Sequence, residues 1–489
     1  MFRPSLLAAN QEFSTSFSYV GTISSSNDAA LTPQGCLVVR PETDISELKT
    51  FVLHDETAQS KVEHIFLMGV DLALSATKFE LLKSIFRDRK AKWRAVTIDR
   101  CQGPLEVLLY EILLGSEASI ENLTLNSLVI TLPLAKALQN GLGRQGRGIQ
   151  KISFCGCRWT TQSVTHCLQG LKRNDSIHTI RFNGGRFGGG ASMALANAIA
   201  RCRKIQRLEL FSCDLSDQCA ATLVSSLLEN QNLQHLDLGR NSCQALSLEA
   251  IARLLANSTT LHTLNLSLQE SQTEDILVSA AMNLPLLCSG LRVNSSLKSL
   301  YLRGNQLDDV AADALIETLV HDNYLQKLML TDCLISNSRM KKLLEELVNI
   351  KNMRTLWLDG VQDRKISSRV VLYDIALHSL KAKNIDLEVL NLPFGSGFSW
   401  QAQYWLDLNR GGRRLVYVGN SNSAHGLPLS CWPLVLERIN KLLLPDVAHH
   451  LTTRCHKQDE ASIGEHDEQG ERRANILFYF LRQKILVEY

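Results

Sequence analysis

Four clusters in this 489-residue chain hold residue types that chemistry uses. Gly141-Leu-Gly-Arg-Gln-Gly146 has the G-x-G-x-x-G spacing that brings a backbone close to a pyrophosphate. That site needs a helix after its glycines, and here a strand pattern follows, so the six residues read as a loop. Cys155-x-Cys157 supplies half of a thiolate metal site, with no second pair to complete four ligands. His449, His450, Cys455, His456 and His466 are denser in ligand types, but their irregular spacing in the polar stretch HHLTTRCHKQDEASIGEHDEQGERR reads as solvated. Arg144, Arg147, Lys151 and Arg158 form a basic patch, most simply a solvated loop. The sequence has no G-x-x-x-x-G-K-[ST], and no nucleophile and base fall where one face would gather them. The expectation is therefore no catalytic residue, no cofactor and no bound metal.

Composition narrows the classes further. A hydrophobic fraction of 45% is ample for a core, and a formal charge of +3 is too mild to mark nucleic acid or an anionic membrane as the partner. The longest apolar runs are interrupted by charges such as Glu106 and Glu111, short of a membrane span. MFRPSLLAANQEFSTSF makes a poor secretory signal. The thirteen cysteines are odd in number and lack disulfide spacing, which suits reduced thiols in the cytoplasm or nucleus. The N-x-S/T triplets at Asn122, Asn174, Asn257, Asn265 and Asn294 then read as chance matches.

What positions the residues of this chain is a repeat. Leu297 to Tyr324 begins with L-x-x-L-x-L-x-x-N-x-L, on Leu297, Leu300, Leu302, Asn305 and Leu307, and continues with helical spacing through Ala311, Ala314, Leu315 and Leu319. The same frame starts at Val62, Trp93, Ile120, Ile149, Ile177, Ile205, Leu233, Leu261, Leu297, Leu325, Met353 and Leu387. Its period is 28 residues from 149 to 261 and again from 297 to 353. Leu37 and Val39 fit a degenerate unit before the first frame, with a helix over 44–53. Two long steps place extra residues in the helical half, near 273–293, with a bend at Pro285, and near 363–384. Frame positions 1, 4 and 6 point inward from a short strand. The turn after it needs a small polar group at position 9, supplied by Asn241 and Asn305 or by Cys101, Cys157, Cys213 and Cys333. Val70, Leu128, Gly185, Gln269 and Val361 depart from that pattern, so their turns should be looser or satisfied differently.

These lattices resemble the ribonuclease-inhibitor class of leucine-rich repeat proteins over residues 34–398. The resemblance implies an α/β fold, a leucine-rich repeat solenoid or horseshoe, with a parallel β-sheet on the concave face and α-helices on the convex face. The class also supplies the repeat domains of nucleotide-dependent immune sensors and of an activator of a nuclear-transport GTPase. The chain accordingly divides into a Ser/Thr-rich flexible leader at 1–33, about twelve repeats at 34–398, and a capping region at 399–489. That cap holds a helix over 400–408, a strand over 414–418, a helix over 432–444, a polar loop near 449–473 and an apolar tail.

Positions 3, 5 and 7 of each strand point away from the core. Position 5 becomes large and apolar in three successive units, at Tyr301, Met329 and Trp357, with Arg303 and Asp359 beside them at position 7. These are residue types enriched at interface centres. Phe66 and Met68 form a smaller apolar pair in an early unit, and packing under a cap is the expectation there. Arg181, Glu209 and Asp237 make a charged middle, either a source of selectivity or a cross-strand charge ladder. The reading is a non-enzymatic scaffold, monomeric on its own, that binds a protein partner on its concave surface, with packing of the aromatic strip under the cap as the rival use. Alternatives are an activator of a small GTPase, or a substrate-recognition or sensor subunit of a larger complex.

Overall fold

In the computed structural model, the described residues are 31–32, 36–41, 43, 63–74, 76–87, 94–115, 120–143, 149–185, 189–269, 283–321, 324–358, 366–382, 386–392, 402, 405–406 and 409–410. The chain divides into two compact units, Met1–Ile120 and Glu121–Tyr489. The expected helix at 44–53, the strand at 414–418, the helix at 432–444, the polar loop and the apolar tail lie outside the described residues, as do Asp359, Val361 and the His449–His466 group.

Every frame read from the sequence carries a strand that begins two residues after the frame does. In the first unit β1 (Leu31–Thr32), at the end of the expected leader, runs antiparallel to β2 (Cys36–Val39). β3 (His64–Met68) and β4 (Ala95–Asp99) follow in parallel, with helix α1 (Ala76–Arg87) between them. After β4 come α2 (Leu105–Tyr110) and a π-helical turn, Glu111–Gly115. Arg87 and Glu111 tie α1 to that turn, Nε to Oε2 at 2.8 Å. The buried Lys78 of α1 donates Nζ to Pro41 O at 2.8 Å, closing the degenerate first coil.

In the second unit the parallel strands are β5 (Asn122–Asn126), β7 (Lys151–Cys155), β9 (Thr179–Asn183), β10 (Arg207–Phe211), β11 (His235–Asp237), β12 (Thr263–Asn265), β13 (Ser299–Tyr301), β14 (Lys327–Met329), β15 (Thr355–Trp357) and β16 (Val389–Asn391). Two short strands, β6 (Val129–Ile130) and β8 (Arg158–Trp159), pair beside the main sheet. Helices fill the crossovers: α3 (Leu132–Leu142), α4 (Thr161–Leu171), α5 (Gly189–Ile199), α6 (Asp217–Ser226), α7 (Ala245–Asn257), α8 (Leu284–Leu291), α9 (Asp309–Val320), α10 (Asn337–Glu346) and α11 (Ile366–Ala382). Equivalent frame positions face one another across neighbouring strands, as Leu208 faces Leu236 and Leu264 faces Leu300. This is an open parallel sheet wound with helices, the expected leucine-rich repeat solenoid. A side chain such as Leu300 or Leu302, wholly removed from water, contributes roughly 1.5–3 kcal/mol. Phe154 and Phe182, stacked at 5.0 Å, take the same inward position in β7 and β9.

The extra residues of the two long steps fall before or within helices. Among the described residues α11 is the longest helix, at 17 residues. α8 begins at Leu284, with Pro285 in its first turn, where a missing N–H costs nothing; the earlier part of the expected lengthened helix, before Asn283, lies outside the described residues. At the far end the helical residues Ala402 and Leu406 are buried, and Asn409 donates Nδ2 to Leu387 O at 2.8 Å.

The turns after the strands are satisfied by side chains. Asn241 Nδ2 donates to Leu210 O and Leu238 O at 2.8 and 2.9 Å, while its Oδ1 accepts from Cys213 N and Leu215 N at 3.1 Å each. Asn305 repeats this toward Leu266 O and Leu302 O at 2.8 Å. The cysteines use Sγ for the same carbonyls: Cys157 to Leu125 O, Cys213 to Phe182 O and Cys333 to Leu302 O, at 3.2, 3.3 and 3.1 Å. Burial pushes the Cys157 thiol up to about 11 and that of Cys333 to about 12, so each keeps the proton it donates. Gln269 is the departure satisfied differently. Its longer side chain still reaches Leu238 O at 2.9 Å and accepts from Cys243 N at 2.9 Å. Gly141 lies inside α3 and Gly143 caps its C-terminus, so the glycine motif begins at the helix end whose dipole repels phosphate.

Candidate binding surface

Frame position 8 shapes one rim of the sheet. The residue there holds a positive φ in every described unit from Gly69 through Arg100, Ser127, Gly156, Gly184, Ser212, Arg240, Leu268 and Gly304 to Asp332. Its N–H reaches the next coil, as Arg240 N donates to Ser267 O at 2.8 Å and Gly304 N to Thr331 O at 2.8 Å. Gly304 combines φ +70° with close contact, since a Cβ there would stand 2.3 Å from Leu268 Cδ2. The chain thus leaves each strand sharply, and the side chains at positions 3, 5 and 7 are left as one face opposite the core.

On β9 to β12 that face is mainly polar and most of its polar groups are bonded within it, with His235 Nε2 lacking a partner among the described residues. Arg181, Glu209 and Asp237 are buried, at 8%, 8% and 4% exposure. Arg181 grips Glu209 with Nε and with Nη2, the latter at 2.9 Å, and Arg207 Nε reaches the same carboxylate. Burial works to raise the Glu209 carboxyl, but the Arg181 bond and both arginine charges outweigh it and hold the group below its usual range. Burial and then the Arg207 charge push His235 down to about 4, leaving it neutral. Asp237 accepts from Gly239 N at 2.8 Å and from Asn265 Nδ2 at 2.9 Å, yet burial pushes its carboxyl up to about 6. Arg181 and Glu209 pair across β9 and β10, whereas Asp237 bonds to Gly239 and Asn265 instead of extending the pair.

On β13 to β15 the face changes character. Tyr301, Met329 and Trp357 are Cα partners across three adjacent strands, side by side as their common frame position requires. Tyr301 and Trp357 are partly exposed and Met329 is buried between them. Lys327 Nζ lies 5.3 Å from the centre of the Tyr301 ring, a cation–π contact. Arg303 places Nη2 3.6 Å from Asp332 Oδ2. Three polar atoms of this patch lack hydrogen-bond partners among the described residues: Arg303 Nε, Thr331 Oγ1 and Trp357 Nε1.

Among the described residues no group of three or more His, Cys, Asp or Glu is placed to hold a metal ion, and no helix is long and apolar enough to cross a membrane. Cys157 points into its turn, and the described cysteines are free thiols.

A second set of structural side chains escaped the sequence reading. At the corner from helix to strand, Asn174 Nδ2 donates to Leu142 O at 3.0 Å, and Asn294 Nδ2 to Leu255 O at 2.7 Å. Their Oδ1 atoms accept from Ile177 N and Leu297 N at 2.9 and 2.7 Å, the first residues of the next frames. Asn230, Ser258 and Cys202 occupy the equivalent position. The signal was the Asn-x-Ser triplet itself, at a constant three residues before the frame.

No protein-family model matches the chain. It is 23% identical over 282 residues to mouse NACHT, LRR and PYD domains-containing protein 4C, covering 56% of this chain and 27% of that protein. It is 25% identical to NACHT, LRR and PYD domains-containing protein 3 of Bos taurus, covering 53% and 25%. With mouse ribonuclease inhibitor it shares 24% identity, covering 50% of this chain and 52% of the inhibitor. The repeats are of the ribonuclease-inhibitor-like leucine-rich class. The matched part of this leucine-rich-repeat chain spans about a quarter of the NACHT relatives and about half of the inhibitor. Solved structures similar to it include the Drosophila Toll–Spätzle complex, at TM-score 0.41 and 12% identity over 74% of this chain and 44% of the other. A TLR13–ssRNA13 complex follows, at TM-score 0.36 and 12% identity over 74% and 43%. Both likenesses are too distant to carry an argument.

Proposed function

We propose that this leucine-rich-repeat protein is a non-enzymatic scaffold that binds another protein on the open face of its sheet, with Tyr301, Met329, Trp357 and Arg303 as the contact and Asp359 beside them. The observation that carries the reading is the in-register placement of Tyr301, Met329 and Trp357 on β13, β14 and β15. Repetition fixes their spacing, so three side chains of interface type form a strip on a rigid support. Arg181, Glu209 and Asp237 hold the neighbouring strands of that face and contribute its charge pattern, since their hydrogen-bonding capacity is already in use. The ribonuclease inhibitor, by its name, acts by engaging another protein, which supports the same use of the repeats here. Reduced thiols in the core favour an intracellular home, cytoplasmic or nuclear.

The similarity to NACHT, LRR and PYD proteins favours a second reading, in which the repeats serve as the recognition part of a larger sensor assembly. Affinity purification with mass spectrometry, run in parallel on wild type, Trp357→Ala and Tyr301→Ala, separates the cases. A partner lost from both variants, with their folds intact, supports the strip. Unaltered recovery in both overturns it, and loss of fold in both assigns the strip to packing. A GTPase panel tests the remaining alternative, and unchanged hydrolysis rates dismiss it.

A further inference from the structure

We infer that the partner enters this surface as an acidic, extended protein segment, its carboxylates meeting the donors around Arg303 and Trp357 while an apolar side chain lies on Tyr301 and Met329. The inference rests on the open face being the binding surface and adds the chemistry of what it binds.

The first ground is a mismatch between what the strip offers and what its own residues take up. Arg303 turns Nη2 toward Asp332, but its Nε–H meets no acceptor among the described residues. The indole Nε1–H of Trp357, two strands on, meets none either, and neither does the Thr331 hydroxyl at the position between them. All three groups can donate, and the guanidinium and indole can do nothing else. An N–H shut away from water without an acceptor is left short of most of a hydrogen bond. A small side-chain rotation toward an arriving carboxylate oxygen recovers it, and for an arginine that bond is charge-assisted. A basic segment would only add donors to a surface that already has them in excess.

Charge along the same face is the second ground. Lys327 holds its cation over the Tyr301 ring at the strip itself. Farther along, Lys151, Arg181 and Arg207 stand on β7, β9 and β10 as three cations. Against them stand Glu209, kept ionised by its arginines, Asp237, whose carboxyl is raised, and Asp332 beside Arg303, while His235 is neutral and Asp359 lies outside the described residues. Among the described residues of this face from β7 to β15, the cations Lys151, Arg181, Arg207, Arg303 and Lys327 outnumber the carboxylates Glu209, Asp237 and Asp332, which favours an anionic segment.

Geometry is the third ground. Neighbouring strands lie ~4.8 Å apart, so β13 and β15 are separated by ~10 Å, about three residues of extended chain. Such a segment can set one apolar residue on the ring of Tyr301 with an acidic residue on either side. A single-stranded nucleic acid is the rival polyanion. It calls for an unbroken cationic track with aromatic platforms for successive bases. Here Glu209 and Asp237 interrupt the cations, and Met329 interrupts the aromatics.

The test selects a phage-displayed random peptide library on the full chain, then titrates the selected peptides as synthetic compounds at low and high salt. The expected result is enrichment of Asp and Glu around an aromatic or aliphatic residue. Affinity should fall ~10-fold or more in Arg303→Met and Lys327→Glu, and again on adding salt. Trp357→Phe keeps the ring and removes only the N–H, so its smaller loss reports on the donor without endangering the fold. Neutral or basic peptides that still need Trp357 would overturn the acidic class and leave the binding surface standing. Peptides indifferent to Trp357, Tyr301 and Arg303 would remove the surface itself. A single-stranded oligouridylate that binds and is lost in Lys327→Glu, with no acidic peptide doing so, would hand the site to nucleic acid.

Discussion

Two stretches of one face, built on one lattice, are put to opposite uses. From β9 to β12 most outward side chains are charged or polar, and Arg181, Glu209, Arg207, Asp237 and Asn265 bond to one another or to the backbone and leave little unspent, while His235 Nε2 has no partner among the described residues. From β13 to β15 the same frame positions hold Tyr301, Met329 and Trp357, with donors on Arg303 and Trp357 that meet no acceptor among the described residues. Outward orientation alone thus does not mark a contact residue. For most of these groups, His235 apart, what separates scaffold from surface is whether a neighbour already answers the group.

The comparison breaks most visibly at Glu209. Glu209→Ala strands the buried Arg181 beside Arg207 and should cost about 3 kcal/mol of stability by denaturant unfolding. A loss no larger than that of an average surface substitution would mean that the ladder holds nothing. Trp357→Ala should do the reverse, weakening partner binding by ~2 kcal/mol while lowering stability much less than Glu209→Ala does. Calorimetry and thermal melts on both variants place the two stretches on one scale.

A smaller contrast lies at the turns that both stretches share. Asn305→Ala strips the Leu266 carbonyl and the Gln269 N–H of their side-chain partner, takes one of two side-chain donors from Leu302 O and should cost ~2 kcal/mol, whereas Cys333→Ala removes the other donor to Leu302 O and should cost ~1 kcal/mol. Equal losses would show that the thiol serves as well as the amide. The mildest prediction concerns pH. The Asp237 carboxyl is raised from 3.8 to about 6, so the folded state binds its proton more tightly than the unfolded chain does. The stability this confers is present below 3.8 and is lost as pH rises toward about 6. Asp237→Asn keeps the acceptor for Gly239 and Asn265 without the charge. It should equal or exceed wild type in stability at neutral pH and lose that advantage in acid, which melts across the pH range would show.

The repeats were legible because leucine spacing is dictated by the strand and helix periods, and all the frames from Val62 to Leu387 hold their strands two residues in. The in-register strip followed from the same arithmetic. Polar economy was not legible. Whether Glu209 is offered to a partner or held by Arg181 depends on rotamers and burial that the period does not encode. Gln269 could be flagged as a departure from the Asn/Cys rule, but its extra methylene reaching Leu238 O needed coordinates. The corner residues Asn174 and Asn294 were visible as letters, yet their Asn-x-Ser form drew attention to glycosylation when their office, shared by Asn230, is to tie each helix end to the next strand.

The left-handed residue after each strand has a consequence for how the chain can change. At Arg100, Ser127, Ser212, Arg240, Leu268 and Asp332 the backbone takes a conformation that suits glycine better than the residue present. A glycine at any of these positions relieves strain on the order of 1 kcal/mol, partly offset by the freer unfolded chain. The rim between sheet and turns is therefore a reserve of untaken stabilising substitutions, on which losses elsewhere in the solenoid can be compensated while its open face goes on varying.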